Sequence, residues 1–167
     1  MASNLAVKIS SATKNIADLY RADELPWIIG YSGGKDSTTV LQLVWRAVES
    51  IPVEERSKKI YVISTDTLVE NPVVARWVQL SLSKINVASQ KGKMNIEARR
   101  LVPKLEDRFW VNLIGKGYPA PRPKFRWCTS RLKINASTDF VRNVATERGE
   151  AILFLGTRSG ERQACKK

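Results

Sequence analysis

The residues that could do chemistry gather first at Ser32-Gly33-Gly34-Lys35-Asp36-Ser37. Two adjacent glycines let the backbone turn tightly and bring its N–H groups up to an anion, while Ser32 and Ser37 add hydroxyl donors and Lys35 a positive charge. A helix starting after the loop would add its N-terminal dipole. The combination is a phosphate cradle. It is not a Walker A loop, because Gly30 and Gly34 stand one residue too close and Asp36 occupies the place after the lysine where Ser or Thr belongs. An aspartate in a phosphate loop repels the ligand unless a cation bridges them, so Asp36 points to Mg²⁺ as a co-ligand. The bland alternative is an ordinary glycine turn.

A second concentration runs from Lys116 to Lys133. It holds Lys116, Arg122, Lys124, Arg126, Arg131 and Lys133 with no acidic residue, and Tyr118, Phe125 and Trp127 lie between them. Cations hold phosphates while aromatic rings stack on bases or on adenine. Pro119, Pro121 and Pro123 stiffen the segment and lower its ordering cost. Two other readings stay open: Phe125 and Trp127 as core residues with cations solvating a loop, or part of the basic set binding a nucleotide. Cys128 sits among these charges, where Arg126 and Arg131 favour its thiolate, the form that accepts a persulfide or ligates iron. A small buried residue is the plainer alternative.

Composition narrows the field. The chain has 167 residues, 28 Lys and Arg against 16 Asp and Glu, a net charge of +12 and no histidine. Without histidine there is no Ser-His-Asp triad, no Cys-His dyad and no His-ligated zinc. Residues 1–90 carry a net +1 and residues 91–167 a net +11, an asymmetry that suggests a polyanionic partner. Nucleic acid is the first candidate, an anionic membrane surface the second, and a solvated basic surface the plain alternative. Cys128 and Cys165 are too few for a disulfide framework or a four-cysteine metal site. The N-terminus lacks the apolar stretch and cleavage site of a signal peptide, and no apolar run approaches the ~20 residues that span a bilayer, so a cytoplasmic protein is expected.

The elements that must position these groups follow from periodicity. An amphipathic helix is predicted over about residues 4–23, ended by Pro26, and a buried strand at 27–31 leads directly into the glycine loop and a helix. A second strand, Ile60 to Ser64, ends at Thr65-Asp66, and Asn71-Pro72 caps a helix running to about residue 88. A third strand is expected within residues 95–102, a helix over 105–114, an irregular stretch over 115–126, a helix over about 137–148, and a final buried strand at 151–156. This alternation predicts an α/β domain with an open, mostly parallel twisted sheet and helices on both faces. Ligands in such sheets sit at the carboxyl ends of strands, where Ser32–Ser37, Thr65–Glu70 and Gly156–Glu161 all fall.

The SGGKDS loop after a strand resembles the PP-loop of the ATP pyrophosphatases, which cleave ATP between its α- and β-phosphates. STDTLVENP at 64–72 and LGTRSGE at 155–161 resemble segments of the phosphoadenosine phosphosulfate reductase branch. More specifically, YSGGKDSTTVLQLVW, VISTDTLVENPVV, FWVNLIGKGYPAPRPKFRWCTSRLKI and LGTRSGERQA are together similar to the DndC-like DNA phosphorothioation family and its SspD relatives. The resemblance implies an adenine nucleotide alpha-hydrolase-like fold, with residues 1–167 as one PP-loop domain forming the N-terminal part of a longer protein.

For the site, the resemblance implies ATP held by Ser32, Gly33, Gly34, Lys35, Asp36 and Ser37, with Thr65, Asp66 and Thr67 near the nucleotide or its Mg²⁺. Lys35, Asp36, Arg158 and Cys128 would be catalytic, Arg158 by neutralising the leaving phosphates. Arg122, Lys124, Arg126, Arg131 and Lys133 would contact DNA, whose backbone phosphate oxygen would be activated for replacement by sulfur. DndC-like proteins imply a 4Fe-4S cluster in the full-length protein, with Cys128 one ligand and the others outside this chain, a cysteine desulfurase as sulfur donor, and partners of the DndD and DndE kind. The departure from the pattern is Glu161-Arg162, where glutamate-serine is usual.

Two further readings compete. A phosphoadenosine phosphosulfate or adenylyl-sulfate reductase uses a cysteine on a C-terminal tail near a histidine, and Cys165 lacks that context. A non-catalytic nucleotide- or DNA-binding module would bind DNA with steep salt dependence and turn over no ATP.

Overall fold

The computed structural model describes residues 2–157. Four strands, β1 (Trp27–Gly30), β2 (Ile60–Thr65), β3 (Ile96–Leu101) and β4 (Ile152–Phe154), form one parallel sheet in the order β3-β2-β1-β4. Four helices, α1 (Ala2–Ala22), α2 (Lys35–Glu49), α3 (Pro72–Lys91) and α4 (Asn135–Arg148), accompany them. The expected α/β architecture is therefore present, and each predicted strand has a counterpart. Trp27 pairs with Ile60 and Ile60 with Ile96, so residues paired in register on the three strands share a face.

That register divides the core in two. On one face Trp27, Ile29, Tyr31, Ile60, Val62, Ile96 and Ala98 pack with Leu41, Val44, Ala47 and Val48 of α2, Ala17 and Tyr20 of α1, and Leu82 of α3. On the other, Ile28 and Ile63 meet Phe140, Val141 and Val144 of α4. Helices thus cover both faces, and β1, buried on both sides, reads as a continuous apolar run. Each fully buried branched side chain contributes roughly 1.5–3 kcal/mol by leaving water. Below the sheet, buried Lys58 lies over the rings of Tyr20 and Trp27 and donates to Asp23 at 2.8 Å, tying the end of α1 to the entry of β2. The Lys58 hydrogen bond holds the Asp23 carboxyl below its usual range.

Two expectations are corrected. Residues 105–114 do not form one helix: Leu105–Asp107 make a single tight turn, Arg108 is extended, and a short wide helical turn covers Val111–Gly115. Asn112 explains part of this, because its fully buried amide donates to the carbonyls of Glu106 and Arg108 and so competes with a regular backbone ladder. The final strand is not buried; among the described residues β4 is an edge strand paired to β1 alone, and Leu153 and Leu155 are exposed. Among the described residues, no helix is long and apolar enough to cross a membrane.

Candidate functional site

The strand order reverses at β1. The chain leaves β1 toward β2 and β3 on one side and returns through α4 to β4 on the other. The connection leaving β1 enters α2 on one face of the sheet while α4, leading into β4, packs on the other, and the crevice at such a switch point is where open α/β sheets bind ligands. A cleft of about 690 Å³ opens there, reaching from Ser32 and Ser37 across Thr65 and Asp66 to Ser137 and Arg142 on α4.

The Ser32–Ser37 loop is held in shape by its own side chains. The Ser32 and Ser37 hydroxyls share a hydrogen bond of 3.1 Å, Ser37 Oγ donates to the Gly34 carbonyl, and the Ser32 N–H donates back to Ser37 Oγ at 3.2 Å. Gly33 adopts φ +74°, the left-handed region that favours glycine, and Trp77 of α3 leaves no room there for a side chain. Gly34 is the N-cap of α2 and offers no capping side chain, which leaves the first N–H groups of α2 available to an anion. Lys35 opens the helix exposed, and Asp36 is half-buried in its first turn. Gly156, after β4, lies against the Asp36–Ser37 peptide; a Cβ there would stand 2.7 Å from the Asp36 carbonyl carbon. The two loops of the switch point therefore touch, and only glycine permits it.

The second predicted segment arrives at the same cleft. Thr65 Oγ1 and Ser137 Oγ share a 3.0 Å hydrogen bond across it. Asp66 receives Arg100 Nε at 2.9 Å and the Leu68 N–H at 2.7 Å, and Glu70 pairs with Lys133 at 3.3 Å. Thr67 is buried and does not line the cleft. Arg100, Ser137 and Arg142 are cleft residues that sequence reasoning missed. Arg100 had a usable signal, a cation at the carboxyl end of a predicted parallel strand. The other two sit on a helix whose placement only the fold reveals.

The basic segment separates into parts. Arg122 and Phe125 exchange backbone hydrogen bonds around a tight turn, exposing Arg122, Lys124, Phe125 and Arg126. Trp127 is instead buried: it stacks on Phe109, meets Tyr118 edge-on and donates Nε1–H to the Pro119 carbonyl at 2.9 Å. Of the readings open for the aromatics, Trp127 follows the core one and Phe125 does not. Arg131 is engaged internally, donating to Asp107 at 2.8 Å and to the Tyr118 hydroxyl at 2.8 Å. Burial pushes the Asp107 carboxyl up, but hydrogen bonds from Asn135 and Arg131 outweigh it and hold it below the usual carboxylate range. Lys133 alone of the five predicted DNA contacts lines the cleft. Cys128 is half-buried where the helical stretch leading into α4 begins. Arg158 and Cys165 lie outside the described residues.

No group of three metal-ligating His, Cys, Asp or Glu side chains occurs among the described residues. Magnesium does not need one, since it binds through one or two carboxylates together with substrate phosphates and water, a donor set that Asp36 beside the loop can serve. The two cysteines of the sequence do not fit a cluster held by four thiolates. Comparison of the sequence with known protein families finds no match, and a search among curated proteins finds none either.

Proposed function

We propose that the cleft binds ATP with its phosphates on the Ser32–Ser37 loop and that the protein cleaves it to AMP and pyrophosphate, activating a DNA backbone phosphate oxygen for replacement by sulfur. The observation that carries this reading is the loop itself: backbone N–H groups at the start of α2, two hydroxyls and Lys35 stand at the switch point of a parallel sheet, opening on a cleft large enough for a nucleotide. The resemblance of the loop to the PP-loop supplies the bond that breaks.

In this reading Lys35 and the first N–H groups of α2 hold the β- and γ-phosphates, and Asp36 would be a carboxylate ligand of Mg²⁺. The metal, when bound, neutralises phosphate charge. A phosphate oxygen of the acceptor attacks the α-phosphorus, a new P–O bond forms, and the α–β bond breaks with its electron pair leaving on pyrophosphate. The acceptor oxygen now belongs to an adenylate, which a hydrosulfide-level nucleophile displaces as AMP. Exposed Arg122, Lys124 and Arg126 would meet a DNA backbone outside the cleft, with Lys133 at its wall.

The test is isotopic. DNA carrying ¹⁸O in its non-bridging phosphate oxygens is incubated with ATP, Mg²⁺, the protein and a sulfide source, and the AMP is weighed by mass spectrometry. Label in AMP is the expected result. Unlabelled AMP would remove DNA as the activated acceptor, and binding of ATP without turnover would leave a nucleotide-binding module.

A further inference from the structure

Helix α3 has an apolar surface that, among the described residues, lies outside the core and meets the phosphate loop only through Trp77. Of its residues only Leu82 and Ser89 are buried, with Val78 and Ile85 packed partly buried against the same core. Around the other side of the helix Val73, Trp77, Leu80, Lys84, Val87 and Lys91 follow one another at steps of four, three, four, three and four. That alternation averages 3.5 residues, the spacing that keeps one stripe turned toward a partner helix. The apolar members stand open, Val73 at 76% exposure, Trp77 at 51%, Leu80 at 52% and Val87 at 51%. At 100° per residue, positions 78, 82, 85 and 89 lie roughly half a turn away from this stripe. Packing among the described residues therefore accounts for one face of the helix, and exposed apolar side chains grouped in this way mark a candidate interaction surface.

Charge selects the occupant. The helix carries Arg76, Lys84 and Lys91 and no acidic residue, on a chain of net charge +12. A second copy paired antiparallel about the middle of the stripe would set Lys84 against Leu80 and Lys91 against Val73, and a parallel copy in register would set Lys84 against Lys84. Neither arrangement offers a carboxylate to the seam. A helix with its own apolar stripe flanked by Glu or Asp satisfies both the spacing and the charge. We propose that this face of α3 docks an amphipathic, acid-flanked helix of another protein. The docked helix would lie beside the phosphate loop, because Trp77 leans on Gly33: a Cβ at Gly33 would stand 2.3 Å from Trp77 Cζ3.

The experiment uses two synthetic amphipathic helical peptides with the same leucine seam, one flanked by glutamate and one by lysine, titrated against the full chain by fluorescence anisotropy. The glutamate peptide is expected to bind and the lysine peptide not. Leu80→Glu should weaken that binding by about tenfold or more, with an unchanged circular dichroism spectrum, and Lys84→Glu should shift preference toward the lysine peptide. Equal binding of both peptides, or of neither, overturns the proposal. So does concentration-dependent dimerisation abolished by Leu80→Glu, which would assign the face to a second copy. Binding to phosphatidylserine vesicles lost in Leu80→Glu, without binding of the glutamate peptide, would assign it to a membrane and overturn the proposal equally.

Discussion

Ser32 and Ser37 bond to each other and to their own loop, and in doing so leave the N-terminal amides of α2 and the Lys35 side chain turned outward. Arg131, Tyr118 and Trp127 of the basic segment do the reverse. Their polar atoms and rings close on Asp107, Pro119 and Phe109, while the turn carrying Arg122, Lys124 and Arg126 stands exposed and Lys133 lines the cleft. Both segments are dense in polar and charged residues. Polar density therefore locates open groups only after internal hydrogen bonding has taken its share: the loop leaves amides and a cation open, while much of the basic segment closes on itself.

Substitutions in the two regions should have separable effects. The largest effect is expected at the loop, where Lys35→Ala or Asp36→Ala should reduce pyrophosphate release by about 10²–10³-fold, the scale for losing one electrostatic contact in a reaction site. DNA binding should be unaffected, and an equal loss of both activities would dissolve the division between the two regions. Next comes Gly156→Val, which forces methyl groups onto the Asp36–Ser37 peptide. Overpacking of this kind costs about 1–3 kcal/mol, readable as a lower urea midpoint together with weakened ATP binding; wild-type stability would show that the two loops do not meet.

Asp107→Asn addresses the basic segment's internal pairing. Arg131 is about a third exposed, so the loss is expected at roughly 1–2 kcal/mol rather than the full value of a buried pair, with ATP binding intact. The same carboxylate gives a pH signature. Its folded pKa lies below the ordinary value, so its stabilisation is present above the unfolded pKa near ~4 and fades as pH falls through the lower folded value. Wild type should therefore lose stability below about pH 4 by more than Asp107→Asn does, measured as unfolding midpoints across that range. The smallest change in stability is expected from replacing Arg122, Lys124 and Arg126 together by alanine, within about 0.5 kcal/mol. The salt dependence of DNA binding should become shallower by about 0.9 for each phosphate contact removed; an unchanged slope would take DNA away from this turn.

Much of the fold was legible because apolar runs bounded by turn residues mark strands directly. Trp27–Gly30 and Ile60–Thr65 lie where such runs end at glycine or at Thr-Asp, and Asn71-Pro72 starts α3 with the Asn71 side chain accepting from the Val73 N–H. The glycine loop was readable for the same reason, since its conformational demands are local. What was not legible depends on long-range contacts. The exposure of β4 follows from its place at the sheet edge, which the order of elements does not reveal. The burial of Trp127 depends on Phe109 arriving beside it, and the break in residues 105–114 depends on Asn112 turning inward. Arg142 and Ser137 entered the cleft only because α4 crosses the sheet face opposite α2.

Phosphorus NMR of ATP and Mg²⁺ with the wild-type chain and Lys35→Ala, each with and without DNA, tests whether the Ser32–Ser37 loop presents ATP for cleavage between its α- and β-phosphates. AMP and pyrophosphate are expected from wild type and neither from Lys35→Ala. ADP and inorganic phosphate from wild type, or undiminished pyrophosphate from Lys35→Ala, would contradict that role of the loop.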